Sequence, residues 1–170
     1  MRSVADLPQT IPVFPLPGAL LLYVLRFGYG CGDSDQDEVI PYLLHRLSPD
    51  LFTQDWFVQR QAEAFNVRTP FVRMLEVPSH VLPVEWVVLF AYGACWLLLA
   101  AAVLVLAHHL TGSRPVAALA VVAALVLTPQ WTLGGNDLAS SMLVPSMAGW
   151  TLSLWGLVAF VDERRILAGV

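Results

Sequence analysis

The sequence predicts an all-α membrane protein: a polytopic transmembrane helical bundle of about four spans, with short amphipathic helices in one extracytoplasmic loop. Three observations carry that prediction. Hydrophobic residues make up 57% of the chain and charged residues only 13%, against roughly 45–50% apolar and about 25% charged in an ordinary soluble domain. Mean hydropathy is +0.66, which places the chain in the membrane class. Long apolar runs recur, and charge gathers in the interval between the first two of them.

Residues 1–10 read as an amino-terminal tail, and residues 11–29 as a first span with a proline-rich start. Pro12, Pro15 and Pro17 fall in its first half, where proline removes backbone hydrogen bonds that lipid cannot replace. A sound helix is therefore expected from about Pro17 to Tyr29, with Arg26 snorkelling to the interface. No A-x-A-like site follows, so the segment reads as a span rather than a cleaved signal peptide.

Residues 30–85 form an acidic outer loop. Over residues 31–85 nine acids stand against four arginines. Three short helices are expected there. The first covers about Asp37–Leu47, with Val39, Ile40, Leu43, Leu44 and Leu47 on one face. Asp55 caps the second, from Trp56 to about Phe65, and Thr69-Pro70 opens the third, through about Glu76, as an N-cap with a first-turn proline. Amphipathic helices placed between spans lie on the membrane surface.

Residues 86–110 are the second span. Trp86 to Ala107 carries no charge over 22 residues, roughly 33 Å of helix against a hydrocarbon core of about 30 Å. Trp86 and Tyr92 mark an interfacial end. A cytoplasmic turn follows at 111–115, with Gly112 and Pro115 as breakers. Residues 116–131 form the third span, if the helix runs through Pro129. An outer loop at 132–141 turns at Gly134-Gly135, and the fourth span covers 142–161. Its Ser146, Gly149, Ser153 and Gly156 lie three or four apart, a spacing suited to close helix packing. Residues 162–170 are a cytoplasmic end. Arg114 and Arg164/Arg165 fall on one side and the acidic loop on the other, so the amino terminus is expected inside a plasma (bacterial inner) membrane. The closing ILAGV reads as the start of a further apolar segment, which points to a fragment of a longer reading frame, inactive by itself.

Chemistry is most concentrated in GDSDQDE, where Asp33, Asp35, Asp37 and Glu38 fall within six residues. Crowded carboxylates raise one another's pKa, which suits a general base. They also suit a divalent metal held together with phosphate oxygens, although the spacing assigns no metal ligand and leaves the cofactor open. The plainer reading is a solvated cluster that caps the first loop helix and holds the loop outside. Arg68 and Arg73 suit a phosphate or pairing with nearby acids, and Asn136 and Asp137 sit on the same side as the acidic cluster or simply form a turn. The glycines at 28, 30 and 32 lack the strand–turn–helix context of a nucleotide fingerprint. His108 and His109 are adjacent, face different sides of a helix and suit its C-terminus; His45 and His80 read as single loop histidines. Cys31 and Cys95 read as two unpaired thiols, with no lipoprotein motif at Cys31. A net charge of −4 without a basic patch gives nucleic-acid binding no electrostatic support; the expected partners are membrane lipid and a lipid-linked sugar.

The stretches GDSDQDEVIPYLLHRLSPDLFTQDWF, NVRTPF and LGGNDL, within residues 23–170, resemble uncharacterised bacterial multi-pass proteins with the layout of GT-C glycosyltransferases. That resemblance implies transfer from a lipid-phosphate-linked sugar. An acid of the first outer loop would be the catalytic base, which by position is Asp35, with Asp37 next. Arg68, Arg73, Asn136 and Asp137 would be substrate-binding. The chain departs from the family in having far fewer spans. A rival expectation is a non-enzymatic membrane protein, a transporter or assembly component. Separately, LPQTIPVFPLPGALLL, residues 7–22, resembles the opening strand of the Lon protease amino-terminal substrate-binding domain, whose β-rich continuation is missing here. It implies, as a weaker alternative, a substrate-binding protein of that kind.

Overall fold

A computed structural model describes residues 15–32, 35–127 and 138–161. The described residues form seven α-helices and no strand: α1 (Pro15–Phe27), α2 (Gln36–Leu47), α3 (Trp56–Glu63), α4 (Thr69–Ser79), α5 (Val84–Thr111), α6 (Arg114–Val121) and α7 (Pro145–Val161). A π-helical segment, Val122–Leu127, continues α6. The all-α class is therefore established. Among these helices only α5, at 28 residues, is long and apolar enough to cross a membrane, and it is partly buried in the protein. The other apolar helices are shorter as described. Helix α1 covers 13 residues, roughly 20 Å at 1.5 Å per residue, and the residues before Pro15 lie outside the described part. In α7 the helix begins only at Pro145, a residue pre-shaped for a first turn but unable to donate into a preceding one. The α6 helix passes into wider π geometry after Val121, and its expected continuation through Pro129 to Trp131 lies outside the described residues. The Lon-like resemblance implied a strand over residues 7–22. Residues 15–22 are instead helical, and 7–14 lie outside the described residues.

The chain divides into two compact units. The apolar unit takes the described residues within Met1–Gly28, Cys95–Ser140 and Ser146–Val170. Its core holds Tyr23, Trp96, Leu99, Ala100, Leu125 and Met147, all almost fully buried. The Tyr23 and Trp96 rings meet at 5.6 Å, and Tyr23 donates its hydroxyl to the Ala139 carbonyl at 3.1 Å. The exposed Arg26 donates from Nη1 to the Val126 carbonyl at 3.0 Å, and its guanidinium lies 4.9 Å from the centre of the Phe27 ring. On α7 the buried side is Met147, Thr151 and Val158, whereas Gly149 and Ser153 face outward and a Cβ on Gly149 or Gly156 would meet nothing within 4 Å. The small-residue stripe therefore packs against no other described part of the chain.

The second, polar unit takes the described residues within Tyr29–Ala94 and Ser141–Pro145. Helix α2 packs against both α3 and α4. Val39, Tyr42 and Leu43 of α2 meet a core completed by Val58 of α3 and Phe71, Val72 and Leu75 of α4. The three loop helices expected from the sequence are these three. Asp55 caps α3, its carboxylate accepting from the Phe57 and Val58 amides at 2.9 and 3.1 Å. At α4 the cap lies one residue earlier than expected: Arg68 is the N-cap and Thr69 is already helical, its hydroxyl accepting from the Asn66 amide at 3.1 Å. His45 lies on α2, with Nδ1 2.7 Å from the Leu51 carbonyl, rather than in a loop. Gly112, at φ +66°, ends α5 just after His108 and His109, a left-handed position that glycine adopts without strain.

Candidate functional site

The acidic segment enters α2 through a short glycine loop that is tied down at three points. The Gly30 amide donates to the Ser141 carbonyl at 2.8 Å. The Gly32 amide, at a residue with φ +78°, donates to Gln36 Oε1 at 2.8 Å. Gln36 in turn donates from Nε2 to the Leu143 carbonyl at 3.1 Å. Gln36 is thus buried with both ends of its amide bonded, between two acids that point outward. A Cβ on Gly30 would come to 3.3 Å from the Met142 Cε, the flexible end of that side chain, which would have to give by a few tenths of an ångström.

Asp35 is the N-cap residue of α2, in helical geometry and with no side-chain capping bond. Asp35 and Asp37 are both exposed, and neither carboxylate makes an ion pair with another described residue. Two acids in the first helical turn are favoured there by the helix dipole. Asp33 lies outside the described residues, as do Asn136 and Asp137, so the expected approach of Asp137 to the acidic segment falls outside the structure described. Glu38 is committed elsewhere: it forms an ion pair with Arg68. That pairing takes up the Arg68 guanidinium that the sequence offered to a phosphate. Arg73 is exposed and makes no ion pair among the described residues.

Two further features come from the tertiary structure. Arg46 and Glu76 form a two-bond clamp between α2 and α4, at 2.8 and 3.2 Å, and the Glu76 carboxylate holds the Arg46 guanidinium above its ordinary pKa. Tyr29 and Tyr92 pack ring against ring at 5.0 Å, and burial, with a smaller contribution from Cys31, pushes the Tyr29 phenol up to about 12. Gln36 is the positioning residue that sequence reasoning missed. Its only signal was an uncharged amide set between acids at a helix start, which reads equally well as a solvated residue. Among the described residues no group of three or more His, Cys, Asp or Glu side chains is placed to hold a metal ion, and both cysteines are free. The arrangement is therefore a pair of solvent-facing carboxylates on a helix whose start is fixed from below. No family model, curated protein or solved structure matches the chain.

Proposed function

We propose that the protein is an integral membrane protein of GT-C-like character that transfers sugar from a lipid-phosphate donor at the outer face of a bacterial inner membrane. In this reading α5 spans the bilayer, α1, α6 and α7 complete a polytopic bundle, and the loop that carries α2, α3 and α4 is extracytoplasmic. Asp35 is the base that takes a proton from the acceptor, with Asp37 beside it to hold substrate or a divalent ion. The observation that supports it is local: within the acidic segment Glu38 is paired with Arg68, while Asp35 and Asp37 stay free at a helix start anchored through Gln36. A free carboxylate on a fixed element is what proton transfer requires. Arg73 rather than Arg68 is the arginine left to meet a phosphate.

The test is Asp35→Asn in the full-length protein, assayed in membranes with a radiolabelled polyprenyl-phosphate sugar. Transfer should be lost while resistance to carbonate extraction is unchanged, because an exposed side chain does not hold the fold. Full retained transfer removes Asp35 from the mechanism. A second reading, a non-enzymatic assembly component, is favoured by the outward Gly149 and Ser153 of α7, a small-residue face suited to another helix. In that case Gly149→Leu should break an assembly that Asp35→Asn leaves intact.

A further inference from the structure

Helix α4 is apolar on both sides, and only one side is used by the protein. Phe71, Val72 and Leu75 are buried against its own unit. On the opposite side stand Met74 and Val77, exposed by 50% and 72%, beside the exposed Arg73, and Val81, exposed by 85%, follows in the turn after the helix. Contiguous exposed apolar side chains mark an interaction surface. Exposed apolar side chains occur elsewhere in the unit too, at Trp56, Phe65 and Val67, so exposure alone does not single out the outer face of α4; its place next in the chain to α5 does. The surface continues along the chain: Leu82 and then Trp86 and Phe90 in the first turns of α5 are exposed, the two rings stacked at 5.8 Å. Aromatic pairs at the end of a long apolar helix mark the level of a membrane–water interface.

We propose that the outer face of α4 is seated in one leaflet of a phospholipid bilayer, with the Arg73 guanidinium on a lipid phosphate. The inference rests on the membrane reading above and adds the surface by which the polar unit is held down. A bilayer fits better than a protein partner for two reasons. On α4 the face carries one formal charge, the Arg73 cation at the edge of an aliphatic patch, which matches an acyl layer under a layer of phosphates; the exposed Glu85 follows in the first turn of α5. The patch also runs directly into the candidate membrane-crossing helix, so the lipid around α5 covers it without a second binding event.

The test uses the full chain with Cys31→Ser and Cys95→Ala, reconstituted in phosphatidylcholine–phosphatidylglycerol vesicles. Nitroxide labels are placed one at a time through Val77→Cys, Val81→Cys, Arg60→Cys and Leu98→Cys, all at exposed positions that leave the core intact. Accessibility to oxygen is compared with accessibility to a water-soluble nickel chelate. The oxygen-to-nickel ratio at Val77 and Val81 should be several-fold above that at Arg60 and close to that at Leu98 on α5. Ratios at Val77 and Val81 equal to Arg60, with Leu98 still in lipid, overturn the seating of α4 alone. Aqueous ratios at all four positions overturn it together with the membrane reading. Immobile labels at Val77 and Val81 that neither reagent reaches overturn it by placing a protein on that face.

Discussion

The two units dispose of their polar side chains in different ways. In the polar unit charge meets charge: Arg46 with Glu76, Arg68 with Glu38, Arg60 with Glu63. In the apolar unit Arg26 and several neutral donors turn to backbone carbonyls instead. Tyr23 reaches Ala139, Arg26 reaches Val126, Trp155 reaches Leu98 at 3.0 Å, and Thr151 reaches Met147 at 2.8 Å. The difference follows from the supply of partners. Where acids are plentiful, an arginine finds a carboxylate; where the chain is almost uncharged, the strongest acceptor left is a carbonyl freed at a helix end or accepting a second donor. A polar group in the apolar unit therefore costs little only if the fold brings a carbonyl to it. That makes this unit the more sensitive of the two to repositioning.

The sharpest way to break the contrast is Trp96→Ala. The side chain is fully buried against Tyr23, and truncation of a buried aromatic costs about 3–5 kcal/mol. Hydrogen exchange in nanodiscs should show amides of α1 and α5 losing protection while those of α2 and α4 keep it. A smaller effect is expected from Arg46→Met, which strands the partly buried Glu76 carboxylate and costs about 1–3 kcal/mol. Removing both charges with Arg46→Met and Glu76→Leu should recover much of that loss, and a thermal-unfolding cycle of the four proteins measures the coupling. If the single and double variants were equally unstable, the clamp would be packing rather than charge pairing. The smallest change comes from Asp55→Ala, which removes the cap of α3 and should cost about 1 kcal/mol. It should lower the denaturation midpoint of the polar unit, and Asp55→Asn should restore most of it.

Much of the polar unit was legible before the structure. Asp55 at a helix start, Thr69-Pro70 at another, and the spacing of Val39, Leu43 and Leu47 each state a local preference that packing then respected. The reading of Cys31 and Cys95 as two unpaired thiols needed only the depth of Cys95 in its apolar run, and both are free. The site was legible only in part. That Asp35 and Asp37, rather than Glu38, are left free within the acidic segment could not be read, because Glu38 sits beside them with the same charge. Only the fold of α4 against α2 brings Arg68 to Glu38 and removes it from the set. Gln36 was illegible for the same reason: its partners, Gly32 and Leu143, lie 4 and 107 residues away, and the distant carbonyl leaves no mark in the local sequence.

Sequence alone determined that this is a helical chain with an uncharged run from Trp86 to Ala107 and with its acids gathered ahead of it, while the structure left only one described helix long enough to cross a membrane. Composition and periodicity are local properties, and they set which segments coil and which shun water. Tertiary structure decided which charges remain available, that Arg26 reaches the Val126 carbonyl, and that α4 shows exposed apolar residues on the side away from its core. Those outcomes depend on which surfaces meet, and a single helix carries no information about the partner that will cover it.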